Sequence, residues 1–186
     1  MTAGAARTGG ACSAFHQRHG AAMNIQTTIT SQTNSKVRTW LTPLLAGFGG
    51  FMAIWILAYA RDASTLPLLI PPFGASCVLV FGYPSSPFAH PKNVIGGHLI
   101  AALMGLLACA VLGFGPIGMA AGVGLAITAM MLTGTTHPPA GANPIVVALL
   151  QADPTFLLTP VLAGAATIVV LGFVYNRLLA RMAAAR

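Results

Sequence analysis

The sequence predicts an all-α, polytopic membrane helix bundle made of two internal repeats, each holding a short helix started by prolines. Three observations predict it. The 186 residues are 56% hydrophobic, with a mean hydropathy of +0.80, and only 6% are charged, against about 25% in a soluble domain. The apolar stretches are continuous rather than alternating, which selects helices over a barrel. Finally, PPFGASCVLV at 71–80 returns as PPAGANPIVV at 138–147, 67 positions later.

The elements follow in order. Residues 1–38 carry Arg7, Arg18, Lys36 and Arg38 and no acid, and read as a disordered basic tail on the cytoplasmic side. Its Arg- and Ser-bearing composition also has a faint transit-peptide character, and Met23 offers an alternative start. The membrane domain is expected over 39–180, and 181–186 as a second basic tail. Six uncharged stretches fill that domain: 41–60, 64–83, 93–114, 117–135, 136–151 and 156–176. Crossing the ~30 Å hydrocarbon core takes about 20 helical residues. Four stretches satisfy that easily, while 64–83 and 136–151 are interrupted by prolines.

The interrupted pair defines the repeats, about 39–114 and 115–180. At the offset of 67, Pro87 falls on Pro154, Val94 on Val161, Gly97 on Gly164 and Gly105 on Gly172. Two topologies remain open. With six crossings the repeats are inverted and the two Pro-started helices approach from opposite sides. With four crossings the broken segments are re-entrant. Lys92 lies on the same side as Arg177 only in the first, which the positive-inside tendency favours.

Duplicated segments broken by Pro and Gly point to a transporter site. Two adjacent prolines remove two N–H donors and start a helix well. The free amides of that first turn must face protein, water or ligand, because lipid leaves them unpaired. They favour an anion. The expected substrate-binding residues are therefore Pro71, Pro72, Gly74 and Ser76 in one copy, and His137, Pro138, Pro139, Gly141 and Asn143 in the other. His137 and His98 are the candidates for proton coupling, since both acids of the chain, Asp62 and Asp153, lie outside the apolar stretches.

Each residue also has a structural reading. His137 caps the short helix, His98 makes an interhelical hydrogen bond, His90 is a loop residue, and Asn143 satisfies the broken backbone. GMAAG at 118–122 is a close-packing face. Cys12, Cys77 and Cys109 have no metal or redox spacing, and no cofactor or metal is expected.

The stretch THPPAGANP at 136–144 resembles the signature of the HPP family, with His137, Pro138 and Pro139 giving the name. The resemblance covers about 40–180. It implies a membrane protein usually described with four spanning helices, some members of which carry CBS-type regulatory domains. Plastid and cyanobacterial members are associated with nitrite transport. The expectation is thus a transporter or channel for a small, nitrite-like inorganic anion, with proton coupling through the histidines as one mechanism, in a bacterial inner membrane with both termini cytoplasmic. Its partners would be that anion, the lipid bilayer and further copies in a homo-oligomer, with no nucleic acid. The alternatives are a non-transporting scaffold or sensor, and an intramembrane metal enzyme using His90, His98 and His137.

Overall fold

The computed structural model describes residues 41–64 and 66–185. The expected tail over 1–38 lies outside the described residues. Helix α1 is Leu41–Ser64. Helix α2, Pro72–Cys77, continues as a π-helical turn over Val78–Gly82. Then come α3, Pro91–Leu112, and α4, Pro116–Thr133. A 3-10 turn at Pro138–Ala142 leads into α5, Asn143–Leu150. A further turn, Pro154–Leu157, and a π-helical turn, Leu158–Leu162, open α6, Ala163–Ala184. Helix α6 therefore runs through most of the stretch expected as a C-terminal tail.

Proline sets the starts. It stands in the first turn of α2, α3, α4 and α5, where its missing N–H breaks no helical bond. Glycine sets two of the ends, Gly113 at φ 81° after α3 and Gly134 at φ 61° after α4, a backbone region that side chains avoid.

Four helical segments are long and apolar enough to cross a membrane: Leu41–Ser64, Pro91–Leu112, Pro116–Thr133 and Pro154–Met182. The short ones, Pro72–Gly82 and Pro138–Leu150, cover about 16–20 Å at 1.5 Å per residue, short of the ~30 Å core. Contacts nevertheless show which way each leg runs. The Tyr175 hydroxyl donates to the Leu45 carbonyl at 2.6 Å. The Asn176 amide donates to the Val80 carbonyl at 3.0 Å. Pro84, Ala89 and Pro91 share a cleft with Asn176 and Arg177, and Lys92 reaches towards Gly134. One end of the bundle therefore gathers residue 45, loop 83–91, Gly134 and Arg177. The chain returns to that end between α1 and α3, so an extended segment plus a half-length helix makes the passage. Lys92 and Arg177 share the end, as the six-passage topology requires.

Close approaches recur at the same offset of 67. A Cβ added at Gly97 would meet the Thr135 carbonyl, and one at Gly164 would meet the Leu68 carbonyl. Gly105 faces Val147, and Gly172 faces Val80. In each pair both partners shift by 67, one forward and one back, so the close approaches follow the register of the two sequence copies. The turns match as well: Ser86 caps Pro87–Ala89 through the Phe88 N–H, and Asp153 caps Pro154–Leu157 through the Thr155 N–H.

The core is continuous through Leu57, Phe73, Val94, Val147, Val161 and Ile168. Outward-facing Phe48, Phe51, Trp55, Val111, Met131 and Leu132 are exposed, the side a bilayer would cover. Gly122 sits on Pro144 and Gly105, so the GMAAG face serves close packing.

Candidate functional site

Four polar side chains meet in the interior. Ser76, His98, His137 and Asn143 are each fully buried. Each arrives for a local reason. The prolines at 71 and 72 start α2 so that Ser76 falls one turn in, facing α3. His98 lies on the buried face of α3 with Val94, Ala101, Ala102 and Gly105. His137 ends the extended stretch before Pro138, which comes close to α3 because Gly97 has no side chain. A Cβ there would sit 2.8 Å from His137 Cβ and from the Thr135 carbonyl oxygen. Asn143 opens α5.

The hydrogen bonds form one chain. Ser76 Oγ lies 2.8 Å from His98 Nε2 and 2.8 Å from His137 Nε2. His137 Nδ1 is 2.8 Å from the Phe88 carbonyl oxygen. A carbonyl only accepts, so Nδ1 carries the proton, and in the neutral ring Nε2 then accepts from the Ser76 hydroxyl. Asn143 Nδ2 donates to the His98 carbonyl at 2.9 Å, which fixes the orientation of the amide. The same Nδ2 is 3.1 Å from His98 Nδ1, so the neutral His98 accepts there and donates from Nε2 to Ser76. No buried side-chain nitrogen or oxygen among the described residues is left without a partner. The rings of His98 and His137 stand 5.1 Å apart, and Phe73 packs edge-on to His98 at 5.2 Å.

The expected residues divide. Ser76, Asn143, His137 and His98 converge. Ser76 and Asn143, which match in the two copies, bond the two nitrogens of one imidazole. Pro72 is buried, and its carbonyl lies 3.2 Å from Ser76 Oγ. Gly74 and Gly141 have nothing within 4 Å of a would-be Cβ. Pro71 and Pro138 are exposed and Pro139 is half-buried, so they shape the turns. Two structural readings are corrected. His137 makes no side-chain cap bond; its Nδ1 goes to Phe88 because the extended backbone aims the ring away from the helix that follows. Asn143 bonds α3, not the broken segment. His98 makes the interhelical bonds expected of it, and His90 caps α3 through the Lys92 N–H. Among the described residues no three His, Cys, Asp or Glu side chains are grouped to hold a metal ion.

Sequence reasoning missed three contributors. The Phe88 carbonyl is backbone and has no sequence signature. Asn93 donates to the Pro87 and Thr136 carbonyls at 3.0 and 3.2 Å, tying loop 83–90 to the extended stretch before His137; an amide in the first turn of an apolar helix is the signal that was there. Gly97 is the third.

Charge is placed at the ends. The acids are Asp62, paired with Arg61 at 2.7 Å, and Asp153, whose carboxyl is held below its usual range by the Thr155 hydroxyl and N–H. The end with Arg177 carries a cleft of about 360 Å³, lined by Val80, Pro84, Ala89, Pro91, Asn176 and Arg177 among others. Ala89 joins that cleft to Phe88 and so to His137.

The family model for the HPP transmembrane region matches residues 33–184. The chain belongs to the HPP family. Two Dictyostelium discoideum relatives, both described as transmembrane proteins, resemble this HPP chain. One is 32% identical over 148 residues, covering 74% of this chain and 50% of the relative; the other is 30% identical over 142 residues, covering 71% and 45%. The chain thus spans about half the length of the curated relatives it matches. No solved structure matches it. In this HPP protein the name-giving residues have separate tasks: His137 enters the buried cluster, while Pro138 and Pro139 turn the chain into α5.

Proposed function

We propose that this HPP protein is a membrane transporter or channel for a small inorganic anion, of which nitrite is the type. One observation carries the reading: two fully buried imidazoles, His98 and His137, are bridged by Ser76 at 2.8 Å inside an apolar bundle with no acid between Asp62 and Asp153. Polar groups at membrane depth are costly and mark solute or ion pathways. A site made of imidazoles, a hydroxyl and an amide, without a carboxylate, can gain positive charge but not negative charge. Its electrostatic complement is an anion. Arg177 and the start of α3 line the cleft on the same end, and both attract anions. The end holding Lys92, Arg177 and Arg181 is the cytoplasmic one by the positive-inside rule.

A non-transporting scaffold or sensor is the second reading, favoured by the closed packing of the cluster, in which every polar side chain already has a protein partner. The deciding experiment is uptake of labelled nitrite, chloride and a neutral solute into vesicles holding purified protein. Saturable nitrite uptake, absent from empty vesicles, supports transport. Vesicles no more permeable than protein-free ones, with correctly folded protein, leave the scaffold reading.

A further inference from the structure

We propose that Ser76, His98 and His137 form a one-proton shuttle, in which the Ser76 hydroxyl passes a single excess proton between two imidazoles. The inference deepens the transport reading and rests on it for its purpose, but not for its chemistry.

The geometry allows one fully paired arrangement for the neutral cluster, running Asn143 to His98 to Ser76 to His137 to the Phe88 carbonyl. With the Ser76 hydroxyl donating to a ring, adding one proton allows two; turned instead to the Pro72 carbonyl at 3.2 Å, the hydroxyl accepts from both Nε2–H groups and halts the relay. In the first, His98 carries both N–H groups: Nε2 donates to Ser76 Oγ, and Nδ1 donates to Asn143 Oδ1, which is 3.3 Å away. Ser76 still donates to His137 Nε2. In the second, His137 carries both N–H groups: Nδ1 donates to Phe88 and Nε2 donates to Ser76 Oγ. Ser76 now donates to His98 Nε2, and His98 Nδ1 still donates to Asn143 Oδ1. The two forms interconvert by two hydrogen movements. The Nε2–H bond of His98 breaks as Ser76 Oγ takes that proton, and the Ser76 O–H bond breaks as His137 Nε2 takes its proton. Both steps cross 2.8 Å contacts. No heavy atom moves, and the number of hydrogen bonds is unchanged.

Asn143 lets His98 take up the proton without losing a hydrogen bond. Its Nδ2 and Oδ1 are 3.1 and 3.3 Å from the same His98 Nδ1. The amide faces the bare nitrogen with its donor and the protonated nitrogen with its acceptor. Capacity stops at one, because two cationic rings 5.1 Å apart repel each other.

Among the described residues no other titratable group offsets that charge. Across the cluster α2 presents Phe73 and Cys77, α3 has Lys92 at its start and Cys109 near its end, and the segments over 134–150 carry no further ionisable side chain. The shuttle also has a blind end. At the offset of 67, the positions matching His98 and His137 are Ala165 and Ile70, both buried and apolar. The polar chain therefore starts at the Phe88 loop and stops at Asn143. It stores and hands over a proton rather than conducting one through the bundle.

The test is nitrogen-15 NMR of histidine-labelled protein in nanodiscs, titrated from neutral to acidic pH, with His98→Gln and His137→Gln used for assignment. The expected result is that the two Nε2 signals move together, at shifts averaged between the N–H and bare forms, while both Nδ1 signals report full protonation. Ser76→Thr keeps the averaging. Ser76→Ala separates the two signals into independent titrations. Wild-type protein in which each Nε2 keeps a fixed state on acidification overturns the proposal, and that reading needs no variant to fold. Nitrite uptake by the same samples separates the two claims: averaged signals without uptake sink the transport reading alone, and uptake with fixed Nε2 states sinks the shuttle alone.

Discussion

Ser76 and His137 are 61 positions apart in the chain and 2.8 Å apart in space. Their contact joins the two proline-started segments, one on α2 and one leading into α5. Each of these helices runs away from the junction, so their N-terminal turns meet beside His98. The cluster is thus a product of topology: α2 and α5 are too short to cross alone, and their starts lie inside the bundle.

Gly97→Ala tests how tightly the site is built. The new methyl would stand 2.8 Å from the Thr135 carbonyl oxygen and from His137 Cβ. Backbone cannot yield as a side-chain tip can, so the extended stretch before Pro138 must shift. Overpacking of this kind costs about 1–3 kcal/mol. Thermal unfolding in detergent should show a lower midpoint, with nitrite uptake reduced. Gly124→Ala is the control, because nothing lies within 4 Å of its would-be Cβ.

Gly141→Leu and Gly122→Leu should fail in different ways. No protein atom lies within 4 Å of a Cβ built at Gly141, so the unfolding midpoint should stay near wild type. Uptake should fall, about tenfold or more, if solute passes the first turn before α5; such a factor corresponds to 1.4 kcal/mol. At Gly122 the added atoms meet Pro144 Cβ at 3.0 Å and Gly105 Cα at 3.2 Å. That variant should lose stability first. Full uptake by well-folded Gly141→Leu protein would remove the position from the solute path.

Asn143→Leu should destabilise despite being apolar in an apolar bundle. It removes the donor to the His98 carbonyl and the partner of His98 Nδ1. A buried polar group left unpaired costs about 1–3 kcal/mol. Asn143→Gln is the comparison, since it keeps the amide but lengthens the arm. Equal unfolding midpoints for Asn143→Leu and wild type would show that water replaces the amide.

Much of this was legible in the sequence because it depends on local chemistry. Continuous apolar runs give the helices, and prolines mark their starts. The PPFGASCVLV and PPAGANPIVV register matched Ser76 to Asn143, which do bond the same ring. The convergence itself was not legible. It depends on which face of α3 carries His98 and on Gly97 letting residues 135–137 approach, and neither follows from periodicity in a chain apolar on every face. Phe88 was invisible because its contribution is a carbonyl that any residue has. The reading of His137 as a cap failed for a related reason: an imidazole before Pro138 has two nitrogens, and the fold supplied partners for both elsewhere.

The last prediction concerns sidedness, where length and contacts pull apart. Counting only long apolar helices gives four crossings and puts Lys92 opposite Arg177. The contacts put both at one end: Pro91 and Arg177 line one cleft, and the Asn176 amide holds the Val80 carbonyl. Asp153 and the Arg61–Asp62 pair belong at the other end, as the direction of α1 and α6 requires. The positive-inside rule then predicts that the net basic end faces the cytoplasm. Single cysteines at Lys92, Arg177 and Asp153, in a Cys12→Ser background, can be probed with a membrane-impermeant thiol reagent. Cys77 and Cys109 are buried and should add little signal. In intact cells Asp153→Cys should label at once, while Lys92→Cys and Arg177→Cys should label only after permeabilisation. Labelling of Lys92→Cys together with Asp153→Cys would mean that the chain does not cross between α1 and α3, and that Ser76 and His137 approach from the same side of the membrane.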